Sequence, residues 1–273
     1  ASIGFLEKSE AYFSQVNYLA GIKHGVLTYG TRVTPSDFVG LHLFYLDSGP
    51  MEVTTELFPD GTGEDFHVLS MALRFTYARR LTDRLKVGGS LNYVRDQIAE
   101  TEMQTASFDI GSNFDTGIYG VILGMSIANF GPEVQYQGEG LIVTVDDTVD
   151  VDESLNRITD KFPLPLVFRL GIENDLVGPK SSFIKSDGHR LSFSVDGIKP
   201  SDYTVYSSVG MEYGWHDLAF VRVGTHLGHD TAGLSAGGGI NLRLGKMALQ
   251  VDYAFADYDI LKSTNQFSIG LKF

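Results

Sequence analysis

QFSIGLKF, residues 266–273, alternates polar and apolar side chains without a break and stops on an aromatic. In a strand successive side chains point to opposite faces, which puts Phe267, Ile269, Leu271 and Phe273 on one side and Gln266, Ser268, Gly270 and Lys272 on the other. Such a strand serves two architectures. A soluble sandwich buries the apolar face against a second sheet, and a barrel in a membrane turns it toward lipid. Eight residues do not choose between them, so the rest of the chain must discriminate.

The same alternation recurs upstream. Met247, Leu249, Val251, Tyr253 and Phe255 oppose Ala248, Gln250, Asp252 and Ala254, and a tight hairpin at Gly245-Lys246 joins them to Leu234, Ala236, Ile240, Leu242 and Leu244. Further apolar faces are Ala219/Val221/Val223, Val209/Met211/Tyr213, Leu191/Phe193/Val195, Leu166/Phe168/Leu170/Ile172 and Tyr119/Val121/Leu123/Met125/Ile127. Before them come Phe108/Ile110/Phe114, Leu85/Val87/Leu91/Tyr93, Leu69/Met71/Leu73/Phe75/Tyr77 and Val39/Leu41/Leu43/Tyr45, with weaker strands near 23–33 and 10–18. The total is about fourteen strands, many extendable to the ~9–11 residues with which a tilted strand spans a bilayer.

Composition bounds the fold. The chain has 273 residues, enough for one large domain or two small ones, and no run approaches the roughly 20 apolar residues of a spanning helix. If it crosses a bilayer it does so as a closed barrel, because lipid cannot satisfy an open sheet edge. Zero Cys removes disulfides and thiolate metal sites, and a net charge of −13 argues against nucleic acid. The expectation is a single barrel domain over 1–273; because the sequence begins at Ala1, it is expected to be a processed or truncated product.

Connection lengths give an independent test. In membrane barrels short turns alternate with longer loops on the opposite rim. If the last strand descends to the periplasm, inner turns fall near 34–37, 80–83, 115–118, 176–188, 215–217 and 245–246. Outer loops then fall near 19–22, 47–65, 96–104, 130–163, 198–203, 228–231 and 258–264. Only 176–188 breaks the rule, and a sandwich has no reason to sort its loops in this way.

Charged residues lie opposite the apolar faces: Arg74, Lys86, Arg169, Glu173, Arg190, Asp196, Glu212, Arg222, Arg243, Asp252 and Lys272. In a sandwich these are solvated outer faces. In a barrel they line a lumen where opposite charges pair or hold water. Tyr45, Tyr77, Tyr93, Tyr119, Tyr213, Phe255 and Phe273, near strand ends, suit interfacial aromatic girdles.

No catalytic constellation emerges, and no cofactor is implied. The seven His are scattered, and His226, His229 and Asp230 are the nearest approach to a metal cluster, more simply read as a solvated loop. His67 with Ser70 is not spaced as a nucleophilic pair. Asp146, Asp147, Asp150, Asp152 and Glu153 lack the Gly and terminal Glu of a calcium loop. Gly237-Gly238-Gly239 lies inside a strand pattern, where Gly marks a bend or bulge.

Several stretches resemble the PorV/PorQ family of bacterial outer-membrane proteins, relatives of the FadL-type barrels. They are YARRLTDRLKVGGSLNYVRDQI (77–98), LGMSIANFGPEVQYQGEGL (123–141), DKFPLPLVFRLGI (160–172) and VDYAFADYDILKSTNQFSIGLKF (251–273). Asn129-Phe130-Gly131 and Phe162-Pro163-Leu164-Pro165 are the most specific pieces. The closing strand likewise resembles the one that outer-membrane barrels present to their insertion machinery, making Phe267, Ile269, Leu271 and Phe273 a candidate assembly signal. The chain departs from the family at its front, where no Asn-Pro-Ala-Gly occurs and the only Trp is Trp215, so an N-terminal segment is expected to be missing.

The resemblance implies an outer-membrane barrel of about fourteen strands associated with type IX secretion. Its partners would be lipid and secreted proteins with a C-terminal signal domain, or attachment subunits. Loop residues Met51, Leu57, Phe58, Tyr136 and Leu141 are the candidate docking surface, although apolar loop residues also pack over a barrel mouth. Two alternatives stand beside it: a FadL-like transporter of hydrophobic small molecules, against which the charged lumen counts, and a structural barrel subunit of a surface assembly.

Overall fold

The computed structural model describes all residues except 145–153, 157, 158 and 232. Fourteen strands of eight to fifteen residues form its wall. They are β1 (Glu10–Asn17), β2 (Lys23–Arg32), β3 (Asp37–Asp47), β4 (Val68–Arg80), β5 (Leu85–Ile98), β6 (Thr101–Asp115) and β7 (Ile122–Phe130). The second half holds β8 (Val167–Gly178), β9 (His189–Pro200), β10 (Tyr206–Trp215), β11 (Ala219–Leu227), β12 (Leu234–Leu244), β13 (Met247–Asp257) and β14 (Ser263–Lys272). Each strand pairs antiparallel with its sequence neighbours, and β14 returns to β1 in continuous register from Glu10 with Lys272 to Asn17 with Asn265. The sheet therefore closes on itself as a fourteen-strand barrel.

Burial is inverted relative to a soluble sandwich. On β4, Leu69, Met71, Leu73, Phe75 and Tyr77 are all exposed, while Ser70, Ala72, Arg74 and Thr76 between them are half-buried. Leu170, Ile172, Val221 and Ile240 on the far wall also face outward, and the buried polar set includes Ser14, Asn92, Ser192 and Ser268. Among the described residues the buried hydrophobics are only Phe38, Ala78, Met103, Val134 and Ile198. Leaving one large apolar side chain in water forgoes about 1.5–3 kcal/mol. A belt of them is stable only against hydrocarbon, so the wall spans a bilayer.

The turns at the rim where β14 ends are short: 33–36, 81–84, 116–121, 216–218 and 245–246. The opposite rim carries 48–67 and 131–166. The exception, 179–188, has a structural reason. β7 starts only opposite Glu173 of β8, and Ile184–Lys185 adds a parallel pair to Val177 and Gly178, filling the wall below it.

Three expectations need correction. Residues 96–104 are not a loop: β5 and β6 continue to a turn at Ala99-Glu100, held by Arg95 with Glu102 (2.8 Å) and Tyr93 with Gln104 (2.8 Å). Their outward face turns polar because this part of the wall stands above the apolar belt. Tyr119 belongs to a turn, with φ of 50°, and β7 begins after it. Gly237-Gly238-Gly239 bends nothing, since the ladder runs through it in register on both sides.

The lumen half nearest the short turns is filled by the N-terminal residues. Ser2–Phe5 form a 3-10 turn, with Ala1 packed against Gly88 and Leu6 against Gly30, positions where a Cβ would collide. Lys86 Nζ sits 3.6 Å from the centre of the Phe5 ring, and Arg80 donates to the Gly4 carbonyl (3.3 Å).

Candidate functional site: the lumen and its mouth

Inward-facing charges form two networks. On β8 to β13, Arg190 contacts Asp175 (3.1 Å), Glu173 (3.6 Å) and Glu212 (3.8 Å), and Arg222 bridges Glu212 and Asp252 at 2.6 Å each. β12 separates Arg222 from Asp252, and its glycines let the pair meet. Gly237 is opposite Arg222 and Gly239 opposite Asp252, and a Cβ on Gly239 would lie 2.1 Å from the Asp252 carboxylate. The triple glycine is thus a window for an ion pair.

Asp109 organises the other wall. It pairs with Arg74 (3.2 Å) and accepts from Asn92 Nδ2 (2.9 Å) and the backbone N–H of Asn129 (2.8 Å). Asn129 takes a φ of 65° where the β6–β7 register slips between Phe108 and Ile110, a bulge that turns its N–H inward. Arg74 Nε also donates to Asn92 Oδ1 (2.7 Å).

Above the N-terminal residues lies a cavity of about 580 Å³. Ala1 to Ile3 border it, and Thr28, His42, Arg74, Asp109, Asn129 and Arg169 line it. Thr28 Oγ1 and His42 Nδ1 are 2.7 Å apart. Arg74, Arg190 and Arg222 are ion-paired, whereas Arg169 is exposed to the cavity and makes no ion pair or hydrogen bond among the described residues.

Part of the long loop 131–166 covers the mouth. Val134 and Phe162 exchange backbone hydrogen bonds (2.8 and 2.9 Å), and Val134 is buried, as is Met103. Tyr136 stacks on Phe162 with ring centres 6.0 Å apart and donates its hydroxyl to Asp96 (2.5 Å). Burial, and then that hydrogen bond, push the Tyr136 hydroxyl up to about 12. The tie therefore persists at any physiological pH, and Tyr136→Phe should loosen the loop. Faster protease cleavage between 131 and 166, with cleavage in 48–67 unchanged, is the expected readout.

The five candidate docking residues do not share one role. Met51 is half-buried in the short pair Met51–Glu52 with Asp65–Phe66, Leu57 and Phe58 are exposed, and Leu141 ends the 3-10 turn Glu139–Leu141. Tyr136 is turned into the mouth rather than presented outward, because Asp96 and Phe162 satisfy both its ends. Phe267, Ile269 and Phe273 are exposed on the lipid side, and Leu271 is half-buried there.

Arg243 and Lys272 lie at the short-turn rim rather than in mid-lumen, pairing with Asp217 (3.8 Å) and Glu10 (3.3 Å). His67 pairs with Asp47 (3.0 Å) and Ser70 with Asp96, so those two are not partners. His226 and His229 are ring neighbours at 5.9 Å, and Asp230 accepts from Tyr203 (2.5 Å). Among the described residues no three His, Asp or Glu are placed to hold a metal. The acidic run 146–153 lies outside the described residues. Asp109, Asn92 and Asp175 were missed by sequence, although each sits at an inward-facing position of its strand.

No family model matches the chain, and neither does any curated protein. Solved structures do. The Pseudomonas putida toluene transporter TodX superposes with a TM-score of 0.57 at 11% identity, over 99% of this chain and 90% of that one. A Pseudomonas aeruginosa FadL homologue gives 0.56 at 11% identity, over 100% and 92%. The Acinetobacter baumannii outer membrane protein Omp33 gives 0.51 at 8% identity, over 99% and 100%. At these identities the likeness is one of fold: a closed fourteen-strand antiparallel barrel like those of these outer-membrane proteins.

Proposed function

We propose that the chain is an outer-membrane channel for small hydrophobic molecules that carry a polar or anionic group. The observation behind it is the cavity of about 580 Å³, bordered below by the N-terminal residues and lined by Arg169, which has no ion-pair partner among the described residues, with the buried Val134, hydrogen-bonded to Phe162, over the barrel mouth. A wide, open water pore would need neither obstruction. The fold-level neighbours include proteins described as a toluene transporter and a monoaromatic hydrocarbon channel, which supports the same substrate class. The charged wall narrows that class to amphipathic members, with the Arg169 guanidinium meeting a carboxylate. Calorimetry on the purified barrel should show benzoate binding that weakens about tenfold in Arg169→Ala, the effect of one charge-assisted hydrogen bond. Benzoate affinity unchanged by that substitution would overturn the assignment.

A second function, docking of secreted or surface-attachment proteins in type IX secretion, is supported by different residues. Leu57 is 85% exposed and Phe58 59% exposed on the loop 48–67, and the PorV/PorQ-like stretches point the same way. Co-purification with a secreted protein carrying a C-terminal signal domain tests it, and loss of that protein without change in secretion or surface attachment counts against it.

Assembly depends in either case on the closing strand. Leu271→Ser with Phe273→Ala is expected to lower the amount of heat-modifiable barrel in the outer membrane several-fold at unchanged synthesis. Unchanged accumulation would remove the signal role from Phe267, Ile269, Leu271 and Phe273.

A further inference from the structure

The loop 48–67 is a built hairpin. Met51 pairs with Phe66 and Glu52 with Asp65. Val53 N–H donates to the Glu64 carbonyl (2.8 Å), and Thr62 N–H to that of Val53 (2.8 Å). At the tip Thr55 and Phe58 exchange backbone hydrogen bonds (3.2 and 3.1 Å), a closed turn that holds Leu57 and Phe58 out into solvent. A preformed turn has already lost the conformational entropy that ordering on contact would cost.

The charge around this tip is one-sided. Glu52, Glu56, Asp60, Glu64 and Asp65 are all exposed, residues 48–66 contain no Lys or Arg, and none of the five carboxylates has an ion-pair partner among the described residues. The hairpin rises beyond the apolar belt, beside the stretch of β5 and β6 whose outward face is polar. Lipid headgroups of the outer surface carry phosphates and repel such a tip, so the leaflet is not what Leu57 and Phe58 meet.

We propose that Leu57 and Phe58 are anchors that enter an apolar pocket rimmed by Lys and Arg on a partner protein, with the five carboxylates meeting that rim. The inference rests on the docking role above and specifies the chemistry of the partner. Two adjacent apolar anchors ringed by charge match the anatomy of binding hot spots, and opposite charge at the rim sets encounter rate and register.

The test uses the full barrel in living cells, with a photo-crosslinking amino acid placed at Leu57 and, as a control, at Val205, which is 62% exposed on the loop 201–205. The expected result is a protein adduct at 57, absent at 205, whose crosslinked peptide is flanked by Lys or Arg. Replacing the five carboxylates by their amides should lower its yield about tenfold, and 0.5 M salt should do likewise. A protein adduct indifferent to both treatments would overturn the basic rim while leaving docking intact. Lipid adducts only, equal adducts at both positions, or none at 57 would overturn the anchor assignment itself. The docking function is then judged separately by co-purification of the unsubstituted barrel with a secreted protein carrying a C-terminal signal domain.

Discussion

Phe75→Arg is expected to destabilise the barrel in a bilayer by about 2–4 kcal/mol, the cost of a cation near the membrane midplane. Phe75 sits on β4 between Leu73, which pairs with Tyr93, and Tyr77, and its side chain is 53% exposed. At a solvated position of equal exposure the same change would stay within about 0.5 kcal/mol. Gln104→Arg supplies the control. It also faces outward on β6, but above the belt, where it accepts from Tyr93, and should cost well under 1 kcal/mol. Denaturant unfolding in lipid vesicles measures both. Equal effects at the two depths would mean that no hydrocarbon covers Phe75.

Removing the cation at the centre of the lumen belt should rank next. Arg222→Met leaves Glu212 and Asp252, both within 2.6 Å of the guanidinium, facing each other without it. A fully buried pair broken in this way loses about 3–5 kcal/mol. Arg222 keeps a third of its side chain accessible to lumen water, so about 1–3 kcal/mol is expected. The triple variant Arg222→Met, Glu212→Gln, Asp252→Asn should recover most of it, because the penalty comes from the stranded charges rather than from the lost contacts. Gly239→Val should mimic the single change by pushing Asp252 aside. Additive losses in the triple variant would mean that the three residues do not act as one unit.

What could be read from sequence follows from which forces act locally. The alternation at Leu69, Met71, Leu73, Phe75 and Tyr77 reports a strand with one apolar face, and the sorting of loop lengths favours lipid over a second sheet as its cover. Where the wall leaves the membrane that signal ends. Gln97, Glu102 and Gln104 have no apolar period although their backbones remain paired, so 96–104 resembles a loop in sequence and is a strand pair in space. Ion-pair partners were legible only one at a time. Arg222 and Asp252 are evident as inward charges, but that they meet across Gly237-Gly238-Gly239 depends on register. Asp109 depends on the bulge at Asn129, a one-residue slip that no composition announces. Tyr136 looks like an exposed loop aromatic until the fold brings Asp96 beneath it.

The most direct test is a scan of single cysteines along β4, feasible because the chain has zero Cys. Spin labels at positions 71 to 77, in the barrel reconstituted in lipid, report collision with oxygen, which concentrates in hydrocarbon, and with a water-soluble nickel chelate. Positions 71, 73, 75 and 77 should be accessible to oxygen and shielded from nickel, and 72, 74 and 76 should lack the oxygen maxima, giving a period of two. Labels at 73 and 75 that collide with neither reagent, as they would beneath a second protein layer, would contradict the barrel's exposure to lipid and every functional inference built on it.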